Sequence, residues 1–124
     1  MSRDPAAILR EDRIRLTHML EAARRVARFC VGMTRETLEA DEMRLLAVLK
    51  SIEIVGEAST KVSDPTKLGI LSIDWVGVRR MRNRMIHGYD SIDPARVWDA
   101  VELDVPGLIA GLEAALAAWP PIKP

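Results

Sequence analysis

The chain's 124 residues are 48% hydrophobic and 29% charged. That balance excludes an intrinsically disordered chain and makes one globular domain, 1–124, the expectation. A domain of this size hides about two-thirds of its unfolded surface, so it holds a core without disulfides or metal. Lys+Arg and Asp+Glu number 18 each, which removes a uniformly basic nucleic-acid clamp as the default. The single cysteine, Cys30, excludes an intrachain disulfide and a cysteine-based zinc site. The N-terminal Met-Ser-Arg-Asp-Pro lacks an apolar signal core, and no apolar run approaches the roughly 18 residues of a membrane span. The chain reads as cytoplasmic, with no membrane partner.

Aromatics are scarce and β-branched alternation is nearly absent. Three Asp-Pro pairs, Asp4-Pro5, Asp64-Pro65 and Asp93-Pro94, mark helix starts, because Asp accepts from free amides and Pro fits the first turn. The spacing predicts a first helix from Pro5 to Cys30, with Leu9, Leu16, Leu20, Ala23, Ala27 and Cys30 on one stripe. Gly32 ends it, and Thr34 caps a short piece beginning Arg35-Glu36. A long helix follows over 41–62, with Leu45, Val48, Leu49, Ile52 and Val55 inward. Leu46, Ala47 and Ile54 fall partly off that stripe, the pattern of a helix placed centrally or at a subunit interface. Residues 63–72 connect, with room for one helical turn after Pro65. A third helix begins within 72–74 and runs to Ile86 or His87, where Gly88 weakens it. The last begins at Pro94. Its apolar positions Val97, Val101, Val105, Leu108, Leu112, Leu116 and Trp119 keep phase across Pro106-Gly107, which predicts a kink there. Four main helices with short connections predict an all-α antiparallel bundle of four to five helices.

The chemistry concentrates in one stretch: Arg79-Arg80-Met81-Arg82-Asn83-Arg84-Met85-Ile86-His87-Gly88-Tyr89. It holds four arginines, a His, a Tyr and no acid. Of the 18 cations 14 are Arg, whose planar donor fork suits phosphate. Elsewhere they are interleaved with Asp and Glu; here the charge is unbalanced and attracts an anion. His moves protons near neutral pH, Arg holds phosphate and steadies charge building on it, and Tyr adds a hydroxyl and a stacking ring. These types suit RNA cleavage without a metal or cofactor. A basic helix end also complements the helix dipole with no ligand at all. Arg82 and His87 lie five apart, about 140° around a regular helix, whereas Asn83 and Arg80 share the face of His87. Three arrangements satisfy the chemistry. Arg82 reaches around, the helix unwinds before Gly88, or Arg82 meets His87 of another chain across a symmetric dimer axis.

Arg82, four residues, His87, one residue, Tyr89 resembles the signature of the HepT toxins, within the HEPN superfamily of helical ribonucleases. Asn83 and Asp90 fit the wording around it. So do Ile52-Glu53-Ile54-Val55-Gly56-Glu57-Ala58, similar to the family's Gly-Glu-Ala helix, and the stretch from Asp93 to Val101 with Trp98. The likeness implies a symmetric homodimer of HEPN-like bundles in which paired Arg82 and His87 line one cleft and cut RNA without metal. The products it implies carry a cyclic 2′,3′-phosphate and a 5′-hydroxyl. It also implies a nucleotidyltransferase antitoxin of the MntA type, which moves AMP from ATP onto Tyr89. A bulky anion there occupies the place RNA would take.

Asn83, Arg80 and Arg84 are supporting candidates for RNA contact. Glu57 is a candidate to cross to an arginine of the signature helix and orient it, against the plainer reading of a solvated carboxylate. Gly56 reads as a point of close helix packing. His18 stands alone on the first helix, without a partner at metal-ligand spacing. Arg24, Arg25 and Arg28 form a second basic cluster, a solvated helix end or an auxiliary RNA track. Trp75, Trp98 and Trp119 read as bundle anchors, and Met81 and Met85 as core or interface packing. A second class stays open: a non-catalytic module whose pocket binds a nucleotide or docks a nucleotidyltransferase. Cleavage of RNA in EDTA separates the two.

Overall fold

The computed structural model describes residues 4–85 and 91–121. Among them there are seven α-helices and no strand: α1 (Pro5–Phe29), α2 (Arg35–Ala40), α3 (Glu42–Thr60), α4 (Asp64–Gly69), α5 (Trp75–Met85), α6 (Pro94–Asp99) and α7 (Val105–Ala117). A π-helical turn, Ala100–Asp104, joins α6 to α7. The long helices α1, α3 and α5 and the continuous α6–π–α7 run make the four main members. No helix among the described residues is long and apolar enough to cross a membrane.

Local chemistry sets most boundaries. Asp4 accepts from the amide of Ala6 at 3.2 Å, and Asp93 from that of Ala95 at 3.0 Å, so two Asp-Pro pairs open helices by side-chain capping. The third works differently. Asp64 lies inside α4, and Ser63 before it makes no side-chain cap. The Ser63 amide and hydroxyl instead donate to the buried carboxylate of Asp12, at 3.0 and 2.6 Å. Thr34 and Thr37 cap α2 reciprocally, and Asp41 caps α3 through the Arg44 amide at 3.0 Å. The first helix ends at Phe29 with Cys30 as its C-cap, and Gly32 in the turn beyond takes φ at +73°, a conformation that favours glycine.

The core lies between α1, α3 and α7. It is built on Leu16, Met19, Val26, Val48, Ile52, Val55 and Leu112, with Leu38 and Val97 closing the α2–α6 end. Helix α1 is buried over more than the expected stripe: Met19, Ala22 and Val26 are fully inside, while Ala27 is exposed. The reason is that α1 packs against both α3 and α7. Helix α3 is central in the chain and touches α1, α2, α5 and α6. Its second apolar face stays partly open at Met43 and Leu46.

At Pro106 the expected kink takes the form of a widened turn. Pro has no amide to donate, and its ring crowds the carbonyl four residues back. The chain opens one turn earlier, and the Val105 amide bonds to the Ala100 carbonyl across five residues. Val97 before the turn, Ala100 at its start and Val105, Leu108 and Leu112 after it remain buried.

Candidate functional site

Helix α5 carries the arginines. The amide of Gly77 donates to Asp74 at 2.9 Å, which secures its first turn, and Val78 and Met81 bury one face against the core. With that face fixed, the four cations diverge. Arg79 and Arg80 are exposed, and Arg82 and Arg84 are half-buried.

Arg84 turns toward the π-helical turn and pairs with Asp104 at 2.5 Å. Burial pushes the Asp104 carboxyl above the usual carboxylate range, and the charge and hydrogen bond of Arg84 pull it back part of the way. Arg80 adds its charge on the same side. Arg84 is thus committed to an internal pair.

Arg82 turns the other way, onto α3. Its stem lies against Gly56 so closely that a Cβ built there would stand 2.7 Å from its Cγ and 2.8 Å from its Cδ. The close packing expected of Gly56 is therefore with this side chain. Among the described residues the guanidinium of Arg82 has no hydrogen-bond or ion-pair partner. A half-buried, unpaired guanidinium is a ready anion ligand.

Glu57 does not follow Gly56 toward α5. It is exposed and lines a groove against α1 with Arg15, His18, Glu21 and Arg25. Asn83 is exposed. His87 and Tyr89, with Ile86, Gly88 and Asp90, lie outside the described residues.

Beside Arg82 the C-terminal end of α3, α4 and the start of α5 enclose a cleft of about 240 Å³. Lys67, Arg79 and Arg82 bring three cations to it, and Asp64 one acid. The Lys67 ammonium sits 5.5 Å from the centre of the Trp75 ring, a cation–π arrangement. Lys67 was not legible as a site residue, since it stands alone in a connecting segment. Arg79 carried a signal, because it precedes Arg82 by three residues and shares its side of the helix.

Elsewhere the candidates resolve into packing. Burial pushes the Cys30 thiol above its ordinary value, and nearby Arg44 opposes that in part. His18 is exposed, and no group of three or more potential metal-binding side chains occurs among the described residues. Arg24 lies 3.6 Å from Glu113 in a half-exposed pair, worth little in water. The three tryptophans pack partly buried against the core.

The fold and the site define an all-helical domain presenting an unpaired arginine beside a cationic cleft. Residues 19–115 match the family model described as "Ribonuclease HepT-like". The chain belongs to the HepT-like family. It is 31% identical over 93 residues to a protein of Thermococcus cleftensis named "Probable ribonuclease HepT", covering 75% of this chain and 84% of that one. It is 30% identical over 98 residues to "Putative RNase MJ0127" of Methanocaldococcus jannaschii, covering 79% and 81%. A protein of Caldanaerobacter subterraneus named "Putative RNase TTE0752" is 24% identical over 93 residues, covering 75% and 83%. No solved structure matches the chain.

Proposed function

We propose that this chain is an endoribonuclease of the HepT type that cuts RNA without a metal and acts as the toxin of a toxin–antitoxin pair. Arg82 binds the scissile phosphate and steadies the charge gathering on its oxygens. His87 takes the proton from the neighbouring 2′-hydroxyl. The 2′ oxygen bonds to phosphorus, the bond from phosphorus to the 5′ oxygen breaks, and that oxygen leaves with a proton as a 5′-hydroxyl. The other fragment ends in a cyclic 2′,3′-phosphate. Two copies of the chain form a homodimer that brings both Arg82–His87 pairs to one cleft. Arg80 and Asn83 support the RNA around it.

The observation that supports this reading is the state of Arg82. Of the four signature arginines it is the one half-buried with no partner among the described residues, while Arg84 is spent on Asp104. The ribonuclease names of the relatives point the same way. The test is incubation of the purified chain with RNA in EDTA. Fragments ending in cyclic phosphate, absent with His87→Ala, are the expected result. RNA held without cutting refutes the enzyme and favours a binding module.

Silencing follows from the same site. An MntA-type nucleotidyltransferase joins the α-phosphate of ATP to the Tyr89 hydroxyl, and pyrophosphate leaves. The added AMP sets an anion before the arginines and excludes RNA by occupation and by charge. Co-expressed with such a partner, the chain gains the mass of AMP and the Tyr89→Phe variant does not. AMP found on another residue of the variant overturns this assignment.

A further inference from the structure

The cleft beside Arg82 has a chemistry that the cutting reaction alone does not use. It carries three cations, Arg79 and Arg82 from α5 and Lys67 from α4. Arg79 and Arg82 lie three apart on α5, close enough for long side chains to reach phosphates one nucleotide apart. Among the described residues neither has an ion-pair partner. Lys67 is held in place by the Trp75 ring on which it rests. Three cations against the one carboxylate of Asp64 leave the cleft positive in a chain whose net charge is zero.

The same cleft offers acceptors, from the end of α3 and from α4. The Thr60 hydroxyl donates its proton to the Glu57 carbonyl at 2.7 Å, so its oxygen faces other groups as an acceptor. Asp64 adds a carboxylate, an acceptor only. Cations and acceptors lining one cleft match a repeating unit that carries an anion and a hydroxyl donor. A ribose phosphate is such a unit, and its 2′-hydroxyl is the donor that DNA lacks. The cleft is also small. At about 240 Å³ it falls below the range of roughly 300–1,000 Å³ that encloses a free small ligand. It suits one unit of a chain that continues beyond it.

We infer that this cleft is an RNA subsite that holds the nucleotide next to the scissile linkage. Arg79 and Lys67 take its phosphate, and Thr60 and Asp64 accept from its 2′-hydroxyl. The inference rests on Arg82 being the ligand of the scissile phosphate, and it adds a track along α5 and α4 by which the strand is gripped.

The experiment measures binding apart from cutting. A labelled single-stranded oligoribonucleotide is titrated by fluorescence anisotropy into the His87→Ala chain over a range of salt. Arg79→Ala and Lys67→Ala, each added to that background, weaken binding about five- to tenfold and each lower the salt slope by about 1. Lys50→Ala, an equal loss of charge at an exposed α3 position outside the cleft, leaves affinity within twofold. DNA of the same sequence binds less tightly than RNA, and Thr60→Val narrows that gap. If Arg79→Ala and Lys67→Ala behave as Lys50→Ala does, the subsite is wrong, and cutting by the parent chain leaves the nuclease reading intact. If the cleft variants lose affinity but the parent never cuts, the cleft is an RNA-binding site only, and the nuclease reading falls together with its place beside a scissile linkage. If the His87→Ala chain binds no RNA at all, the subsite fails.

Discussion

Gly56→Ala lowers the rate of RNA cleavage roughly 10²-fold while moving the unfolding midpoint little. The new methyl stands 2.7–3.0 Å from the Cγ, Cδ and Cβ of Arg82. Those atoms are the root and middle of the side chain, so its tip cannot absorb the intrusion alone. The guanidinium must swing to another rotamer, and a displacement of about 1 Å at a phosphate ligand is enough for that loss. Stability is nearly balanced. Ala in a helix interior gains about 1 kcal/mol over Gly, and overpacking costs about 1–3 kcal/mol. The diagnostic is a fall in kcat with the circular dichroism and melting curve retained. Wild-type kcat in a folded Gly56→Ala chain shows that Arg82 does not act from this position.

Asp12→Ala destabilises the fold by about 3 kcal/mol, a drop in melting temperature of roughly 10 °C. Asp12 is 2% exposed and accepts three hydrogen bonds, from the Ser63 amide at 3.0 Å, the Ser63 hydroxyl at 2.6 Å and the Thr66 hydroxyl at 2.6 Å. Bonds to a charged acceptor are the stronger kind, and removing it strands three donors, one of them on a fully buried side chain. Asp12→Asn keeps the shape but turns donors toward donors, so its loss lies between Ala and wild type. Urea melts of the three proteins give the order. A wild-type midpoint for Asp12→Ala shows that the Asp12 carboxylate does not hold the fold. Because it fixes the start of α4, and Lys67 with it, the same variant loosens one wall of the cleft.

Much of the fold was legible because it is written in local chemistry. Thr34 capping α2, the turn at Gly32 after α1 and the Asp-Pro starts at 4 and 93 are decided within a few residues. What was hidden depends on a partner distant in sequence. Nothing near Asp12 says that its carboxylate will meet residues 51 and 54 positions later. The position of Ala27 outside the core follows from where α7 crosses α1. Glu57 is the instructive case. Successive helical residues point about 100° apart. Once Gly56 faces Arg82, Glu57 must face elsewhere, here the α1 groove. Gly56 was readable as a packing point, but that its contact is Arg82 needed the arrangement of α3 against α5. The cleft escaped notice because its cations come from two helices and its acceptors from the end of a third and from α4.

The π-helical turn at Ala100–Asp104 carries one consequence for how this chain tolerates changes in length. A widened turn stores one residue more than a regular helix would use over the same rise. Ala100 and Val105, both buried, lie five apart across it, and deleting a single residue between them restores the four-residue step of ordinary winding without turning the buried face of α7. Val97, Ala100, Leu108 and Leu112 would still look inward, whereas a deletion in the regular winding would rotate everything beyond it by about 100°. The turn is a phase-setting element that absorbs one residue, and the loss of a residue is better borne within it than in the regular winding of α7.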